Sequence, residues 1–266
     1  MSVAITRAQG QCALFVAALL ALAACVVVLA PPARANGSRS CVAAAHRGDQ
    51  AHGSENSMRA FRAAVHRRAN YLEMDVQVTR DGRFAVMHDE TINRTTRGTG
   101  RIITKTWGQL RRVKLNDGQR IPSLHAVLDM VRPTRSGVLI ELKWVPASRF
   151  GRLKRLIDTF GTSRLVVNSF SPYVVKRFRE RYPGVRTALA VNRPISVKQA
   201  RTYGGVMPDW RHVTDSWLAN LRAAGVATYL WTVDTARGWQ RFSGRVTLVL
   251  TNRTAGYAAW RRSHCG

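Results

Sequence analysis

Tyr71-Leu72-Glu73-Met74-Asp75-Val76-Gln77-Val78 is an apolar run of strand length with two acids set two places apart. Alternate side chains of a strand point to opposite faces, so Glu73 and Asp75 share one face. Outward from it, comparable short runs recur at Val42–Ala45, Val138–Lys143, Leu165–Ser169, Arg186–Val191, Gly205–Met207, Ala227–Trp231 and Thr247–Leu250. Helical patterns fall between them, clearest over Glu55–Arg68, Ser123–Val131, Ser148–Phe160, Pro172–Tyr182, Thr214–Ala224 and Ala255–Arg262. Pro172 suits a helix first turn, with Ser171 before it as cap. Regular strand–helix alternation signals a parallel sheet, and eight such strands fit an α/β protein of the (β/α)8 TIM-barrel kind better than an open sheet. Thr79-Arg80-Asp81-Gly82 reads as a turn that folds Phe84–Met87 back on the second strand, a small hairpin insertion.

The chain has 266 residues, 45% of them hydrophobic, enough for one large core, and no internal period divides it. Its N-terminus stands apart. Arg7 precedes an apolar run from Cys12 to Ala30, then Pro31-Pro32-Ala33-Arg34-Ala35 and polar Asn36-Gly37-Ser38. Charged, apolar and Ala-x-Ala segments in that order describe a secretory signal over residues 1–35, a mature domain over 36–266 and a secreted protein. Two other readings stand beside it: the run is long enough for a membrane anchor, and Leu22-Ala23-Ala24-Cys25 resembles a lipoprotein box. Cleavage leaves Cys41 and Cys265. One cysteine near each end of an exported chain suggests a single disulfide, formed where a barrel's first strand meets its last helix.

Lys and Arg number 42 against 15 acids, a formal net charge of +27, of which the leader holds only Arg7 and Arg34. Such a surface favours electrostatic association with anionic cell wall or lipid. The chain has neither interleaved aromatic–basic motifs nor zinc-finger spacing, so no specific nucleic-acid partner is indicated. The scarcity of acids makes their clustering informative, since five of the 15 lie within Glu73–Glu90.

In a parallel barrel, chemistry sits where strands end. The strand ends carry Ala45-His46-Arg47-Gly48, Glu73-Met74-Asp75, Glu141-Leu142-Lys143 and Trp231-Thr232-Val233-Asp234, and the hairpin adds Met87-His88-Asp89. Glu73 and Asp75 side by side repel unless a cation neutralises them. With Glu141 on the next strand they form an all-oxygen set suited to Ca2+ or Mg2+. Lys143, on Glu141's face, offers a fixed charge for a phosphate oxygen or a counter-ion for Glu141. His46 and His88 form the candidate acid–base pair, because histidine can both take and give a proton near neutral pH.

Together these residues closely resemble the glycerophosphodiester phosphodiesterase family, one of the phosphatidylinositol-phospholipase-C-like phosphodiesterase barrels. The resemblance covers His46-Arg47-Gly48, Glu55-Asn56, Tyr71–Val76, Asp81-Gly82, His88-Asp89, Arg94-Thr95-Thr96 with Gly98, Glu141-Leu142-Lys143, Ser169-Phe170 and Trp231–Asp234, in family order. It implies a barrel whose hairpin carries His88, with His46 and His88 catalytic and Glu73, Asp75 and Glu141 holding a divalent cation. It also implies that Arg47 and Lys143 contact phosphate and that Trp231 forms an aromatic wall. The implied reaction splits a small anionic phosphodiester into glycerol 3-phosphate and an alcohol. A lysophospholipase D or sphingomyelinase D-like activity on lipids is the alternative. The chain departs from the family at Ser54-Glu55-Asn56-Ser57 (usually Pro-Glu-Asn-Thr), at Arg68 (commonly glycine), at Asp234 (often Asn) and at Thr251-Asn252 (usually Thr-Asp). The last two are expected at the pocket's far rim.

Overall fold

Residues 41–265 are described by a computed structural model; the expected leader over 1–35, with Cys12 and Cys25, falls outside them. The strands are β1 (Ala43–Ala45), β2 (Tyr71–Val78), β3 (Phe84–Val86), β4 (Gly137–Leu142), β5 (Leu165–Ser169), β6 (Arg186–Val191), β7 (Gly205–Pro208), β8 (Ala227–Leu230) and β9 (Leu248–Thr251). The helices are α1 (Met58–His66), α2 (Trp107–Leu110), α3 (Leu124–Val131), α4 (Phe150–Phe160), α5 (Pro172–Arg181), α6 (Val197–Thr202), α7 (Asp215–Ala223), α8 (Ala236–Phe242) and α9 (Thr254–His264). Except for β3, the strands pair in parallel in chain order, and β1 bonds to both β2 and β9, closing an eight-stranded (β/α)8 barrel. β3 runs antiparallel along β2, Val86 opposite Val76.

Alternation sorts the core into two layers. Ala44, Leu139, Val166, Ala188, Met207 and Tyr229 point inward and fill the barrel. Leu72, Met74, Val138, Ile140, Leu165 and Val167 point outward against Phe61 of α1, Leu128 of α3 and Leu153 of α4. Full burial of a side chain of this size is worth about 1.5–3 kcal/mol, which holds the helices on the sheet. Serines set several helix starts: Ser57, Ser123 and Ser171 each accept a backbone N–H of the first turn, and Pro172 follows Ser171 in the first turn of α5.

Two expectations are corrected. The first helix begins at Met58 and not at Glu55, because Asn56 has φ +58°, in the left-handed region, and Ser57 is the cap. Arg68, where the family resemblance leads one to expect glycine, also stands at φ +57° just past α1; its conformation is the one that favours glycine. The insertion after β2 is more than a hairpin. Beyond β3 it contains a 3-10 turn (Ile102–Thr104) and α2, packed around its own cluster of Ala85, Met87, Ile92, Ile102, Leu110 and Leu115.

Cys41 and Cys265 are bonded across 224 residues, with their Cα atoms 6.1 Å apart, at the end of the barrel where strands begin. In the chain-entropy picture a loop this long is worth on the order of 5 kcal/mol, roughly 10 °C of Tm for a domain of this size. The strand C-termini lie at the other end. Reduction should therefore lower Tm by about that amount while initial turnover at 25 °C is unchanged. Thermal melts and rate assays with and without reductant check this; equal Tm values would show that the bond contributes nothing.

Candidate active site

The register that closes the barrel also assembles the acids. Asp75 lies opposite Glu141 across β2 and β4, and Glu73 lies one inward position earlier on β2. One carboxylate oxygen from each of Glu73, Asp75 and Glu141 lies within 4.8 Å of the others. Glu73 and Asp75 are each 1% exposed and Glu141 8%, so water cannot screen their repulsion. Burial, then the charges of Asp75 and Glu141, push Glu73 well above the usual carboxylate range. Burial also leaves Glu141 raised, although Lys143 opposes it. Burial would raise Asp75 too, but Lys143 and then Arg47 outweigh it and hold its carboxyl at about 2.

The fit to a cation can be judged from these oxygens. Two oxygens bound to Ca2+ at about 2.3–2.6 Å can stand no more than ~5.2 Å apart, and the triad, within 4.8 Å, meets that limit. Lys143 Nζ pairs with Glu141 and lies 2.8 Å from Asp75 Oδ1. Arg47 Nε lies 3.3 Å from Asp75 Oδ2. Two cations against three carboxylates leave the set negative. The donors are all oxygen and the residual charge is negative, so the residues suit a hard divalent cation.

The loop after β1 brings Arg47 to the triad at a conformational cost. Its φ is +59°, and the next residue, Gly48, has φ +86° and lies so close to α1 that a Cβ would meet Ala60 at 2.8 Å. Left-handed backbone at a non-glycine residue persists where its surroundings over-determine it. Here the Arg47 N–H donates to Glu73 Oε2 at 2.8 Å, and its guanidinium reaches Glu55 at 3.1 Å as well as Asp75. Asn56, also left-handed, donates from Nδ2 to Asp75 Oδ2 at 2.8 Å and accepts the Asp75 N–H at 3.2 Å.

His46 and His88 are held differently. His46 Nδ1–H donates to Asn252 Oδ1 at 2.7 Å. The amide's orientation is fixed, since Gln50 also donates to Oδ1 and Asn252 Nδ2 donates to Asp234 at 2.8 Å. His46 Nε2 thus carries the lone pair, 4.0 Å from Glu73. Burial, then Arg47, lowers its pKa to about 4. Asp234 and Asn252 consequently do not form the pocket's far rim but support His46 from behind. His88 donates Nδ1–H to Asp89 at 2.7 Å, and Arg94 grips both Asp89 and Glu55. Asp75, Arg47, Glu55, Arg94, Asp89 and His88 form a continuous ion-pair chain that ties the insertion to the barrel mouth.

His88, Glu141 and Lys143 line one side of a cavity of about 700 Å³, and Ile103, Trp144 and Phe170 line another. Trp231 is not on its wall. Its indole donates to Met207 O and packs edge-on against Phe170, with centroids 5.6 Å apart. A larger cavity, about 880 Å³, opens among the residues that begin the strands and holds neither histidine nor acid. The sequence passed over Asn56, Asn252, Asp89 and Arg94 as functional residues. Asn56, Asp89 and Arg94 all stand inside the motifs that carry the resemblance, which is the signal that marks them.

The model of the glycerophosphoryl diester phosphodiesterase family matches residues 46–255. A Bacillus subtilis protein bearing the glycerophosphodiester phosphodiesterase name is 38% identical over 161 residues, which cover 56% of this chain and 65% of that protein. The glycerophosphodiester phosphodiesterase of Bacillus altitudinis is 33% identical over 194 residues, 68% of this chain and 76% of the relative. Among solved structures, an Oleispira antarctica phosphodiesterase in complex with the product sn-glycerol-3-phosphate superposes with a TM-score of 0.76 at 18% identity, covering 83% of this chain and 96% of that one.

A histidine lowered to about 4 stays neutral through the physiological range. The unfolded chain would take up this proton first, so His46 makes the fold less stable as pH falls from 6.5 toward 4. In an NMR titration of the metal-free protein, the His46 ring should change protonation below pH 5. An inflection near 6.5 would contradict the burial argument.

Proposed function

The chain belongs to the glycerophosphoryl diester phosphodiesterase family and is a phosphodiesterase, and we propose that it hydrolyses glycerophosphodiesters to glycerol 3-phosphate and an alcohol, with a divalent cation, Ca2+ or Mg2+, at Glu73, Asp75 and Glu141. The observation that carries this reading is the buried acid triad, whose oxygens lie within 4.8 Å of one another beside a histidine with a free Nε2. When bound there, a divalent cation supplies positive charge to a non-bridging phosphate oxygen and to the developing transition state.

The remaining steps belong to the chain's own groups. Arg47 and Lys143 offset the phosphate charge. Neutral His46 takes the proton of the attacking oxygen, the substrate's own glycerol hydroxyl, at Nε2. His88 has a carboxylate at its back where His46 has a neutral amide, and it protonates the departing alcohol as the P–O bond breaks. A cyclic phosphate results. Water opens it with the roles reversed: His88 takes the water's proton and His46 returns its own to the glycerol oxygen. The net reaction consumes one water and leaves sn-glycerol-3-phosphate, the product bound by the Oleispira antarctica protein. The proposal extends to location. A leader over 1–35 and a Cys41–Cys265 bond support a secreted protein, since such bonds persist in oxidising compartments. Its charge of +27 suits association with anionic cell wall or lipid.

A second reading has its own observation. Among the described residues the exposed large hydrophobic ones are Ile103, Trp144, Phe170 and Tyr173; the first three line the cavity beside His88, and Trp144 stacks on Tyr173 at 5.6 Å. Apolar surface gathered at one polar mouth marks a binding surface, and a hydrocarbon chain of a lysophospholipase D or sphingomyelinase D substrate would suit it. Trp231, behind Phe170, then braces the aromatic wall.

One assay tests the set. Glycerophosphocholine should release glycerol 3-phosphate, excess chelator should abolish turnover, and Ca2+ or Mg2+ should restore it. His46→Ala and His88→Ala should each lower kcat at least ~10²-fold. Full turnover in chelator would overturn the cation assignment, and a folded histidine variant with normal turnover would remove that residue from the chemistry. A higher kcat/KM for lysophosphatidylcholine or sphingomyelin than for glycerophosphocholine would establish the second reading over the first.

A further inference from the structure

Asn168 lies in β5, inside an apolar run that reads as plain barrel core. It is completely buried at 0% exposure, yet neither Oδ1 nor Nδ2 has a hydrogen-bond partner among the described residues. Its direction follows from its neighbours. Leu165 and Val167 pack outward against the helices, while Val166 packs in the barrel interior, so Asn168, two places on, also faces inward. The parallel register then places it in a row: Asp75 opposite Glu141, Glu141 opposite Asn168, and Asn168 opposite Ala188. Three polar residues on three consecutive strands thus continue one inward layer, and the small Ala188 closes it.

A buried amide with no partner is left with its desolvation uncompensated, and valine or leucine would fill this position without that penalty. Its hydrogen-bonding capacity therefore has a use that the protein atoms do not supply. Lys143 already occupies Glu141 and Asp75, and makes no hydrogen bond with Asn168. We propose that Asn168 is a further member of the cation site, its amide oxygen facing the ion or a water on the ion from β5. The residue adds a neutral oxygen to a set already crowded with carboxylates, and hard divalent ions accept such mixed shells. This rests on the cation reading of Glu73, Asp75 and Glu141.

The test is calorimetric titration of the metal-free protein, disulfide intact, with Ca2+ and with Mg2+. Asn168→Leu and Asn168→Ala should each weaken binding of the ion that the unaltered protein prefers by at least tenfold. The metal-free Asn168→Leu variant should melt no lower than the unaltered protein, because it loses an unsatisfied buried amide. If Leu does not fit and the variant fails to fold, Asn168→Ala and Asn168→Ser carry the same comparison, and Ser should fall between Asn and Ala in affinity. Unchanged cation affinity in the folded variants overturns the proposal. So does a metal-free Tm several degrees lower with affinity intact, which would make Asn168 a structural amide holding buried water. Should the unaltered protein bind neither ion, the failure lies in the cation reading itself and not in Asn168 alone.

Discussion

Three carboxylates buried within 4.8 Å of one another are the constraint on which the rest of this structure depends. The barrel's register forces the contact, because pairing β2 with β4 in parallel sets Asp75 against Glu141. Two cations and two left-handed residues are spent on containing it. Arg47 and Lys143 bring positive charge, and Asn56 turns out of the helical path to bond Asp75 through both ends of its amide. A fold selected for stability alone would place apolar residues here, as at Leu139 and Val166, which continue the row of Glu73. The arrangement is coherent as a place for charge that arrives from outside: an ion, and the phosphate it meets.

The same electrostatics locate the second half of the site. His88 belongs to an insertion with a core of its own, registered to the barrel mouth by the β2–β3 ladder, where the Met87 N–H donates to Asp75 O and Gln77 donates to His88 O. The ion pairs from Arg47 through Glu55, Arg94 and Asp89 add a second tie through side chains. Burial alone would favour protonation of Glu55, but Arg94 and Arg47 together more than offset the loss of solvent and hold its carboxyl below the usual range. The two histidines acquire different characters from their supports, a neutral amide behind His46 and a carboxylate behind His88. Here the amide of Asn252 contacts His46 and the charge of Asp234 stands behind it, one hydrogen bond further away.

Much of this was legible in the chain. Acids two apart in a strand must share a face, and β-branched runs between helical stretches must pair in parallel, so the barrel and the triad could be read from periodicity. The remainder depended on information that periodicity lacks. Asn56 sits three places after Gly53 in a stretch that reads as a first helical turn, and only its backbone conformation shows otherwise. Asn252 meets His46 across 206 residues, a contact that depends on barrel closure. The insertion's core has irregular spacing because it packs around turns; even so, the capping box of Thr106 and Gln109 marked α2 and was too short to stand out. Trp144 and Phe170 look like core residues in sequence, and the cavity shows that they are wall. Asn168 is hidden for the same reason, as one polar residue in an apolar strand.

The central claim is that the acid triad is held in repulsion for a cation, and thermal unfolding of Glu73→Gln tests it most directly. Glu73 carries the repulsion most plainly, since burial and its two neighbours all push its carboxyl up, and a glutamine can keep the hydrogen bond from the Arg47 N–H. The unaltered protein should gain Tm with added Ca2+ or Mg2+, as any ligand of the native state requires. Metal-free Glu73→Gln should melt no lower than the unaltered protein and should lose that gain. An equal cation-induced rise in both proteins, or a variant destabilised with the rise intact, would contradict the account.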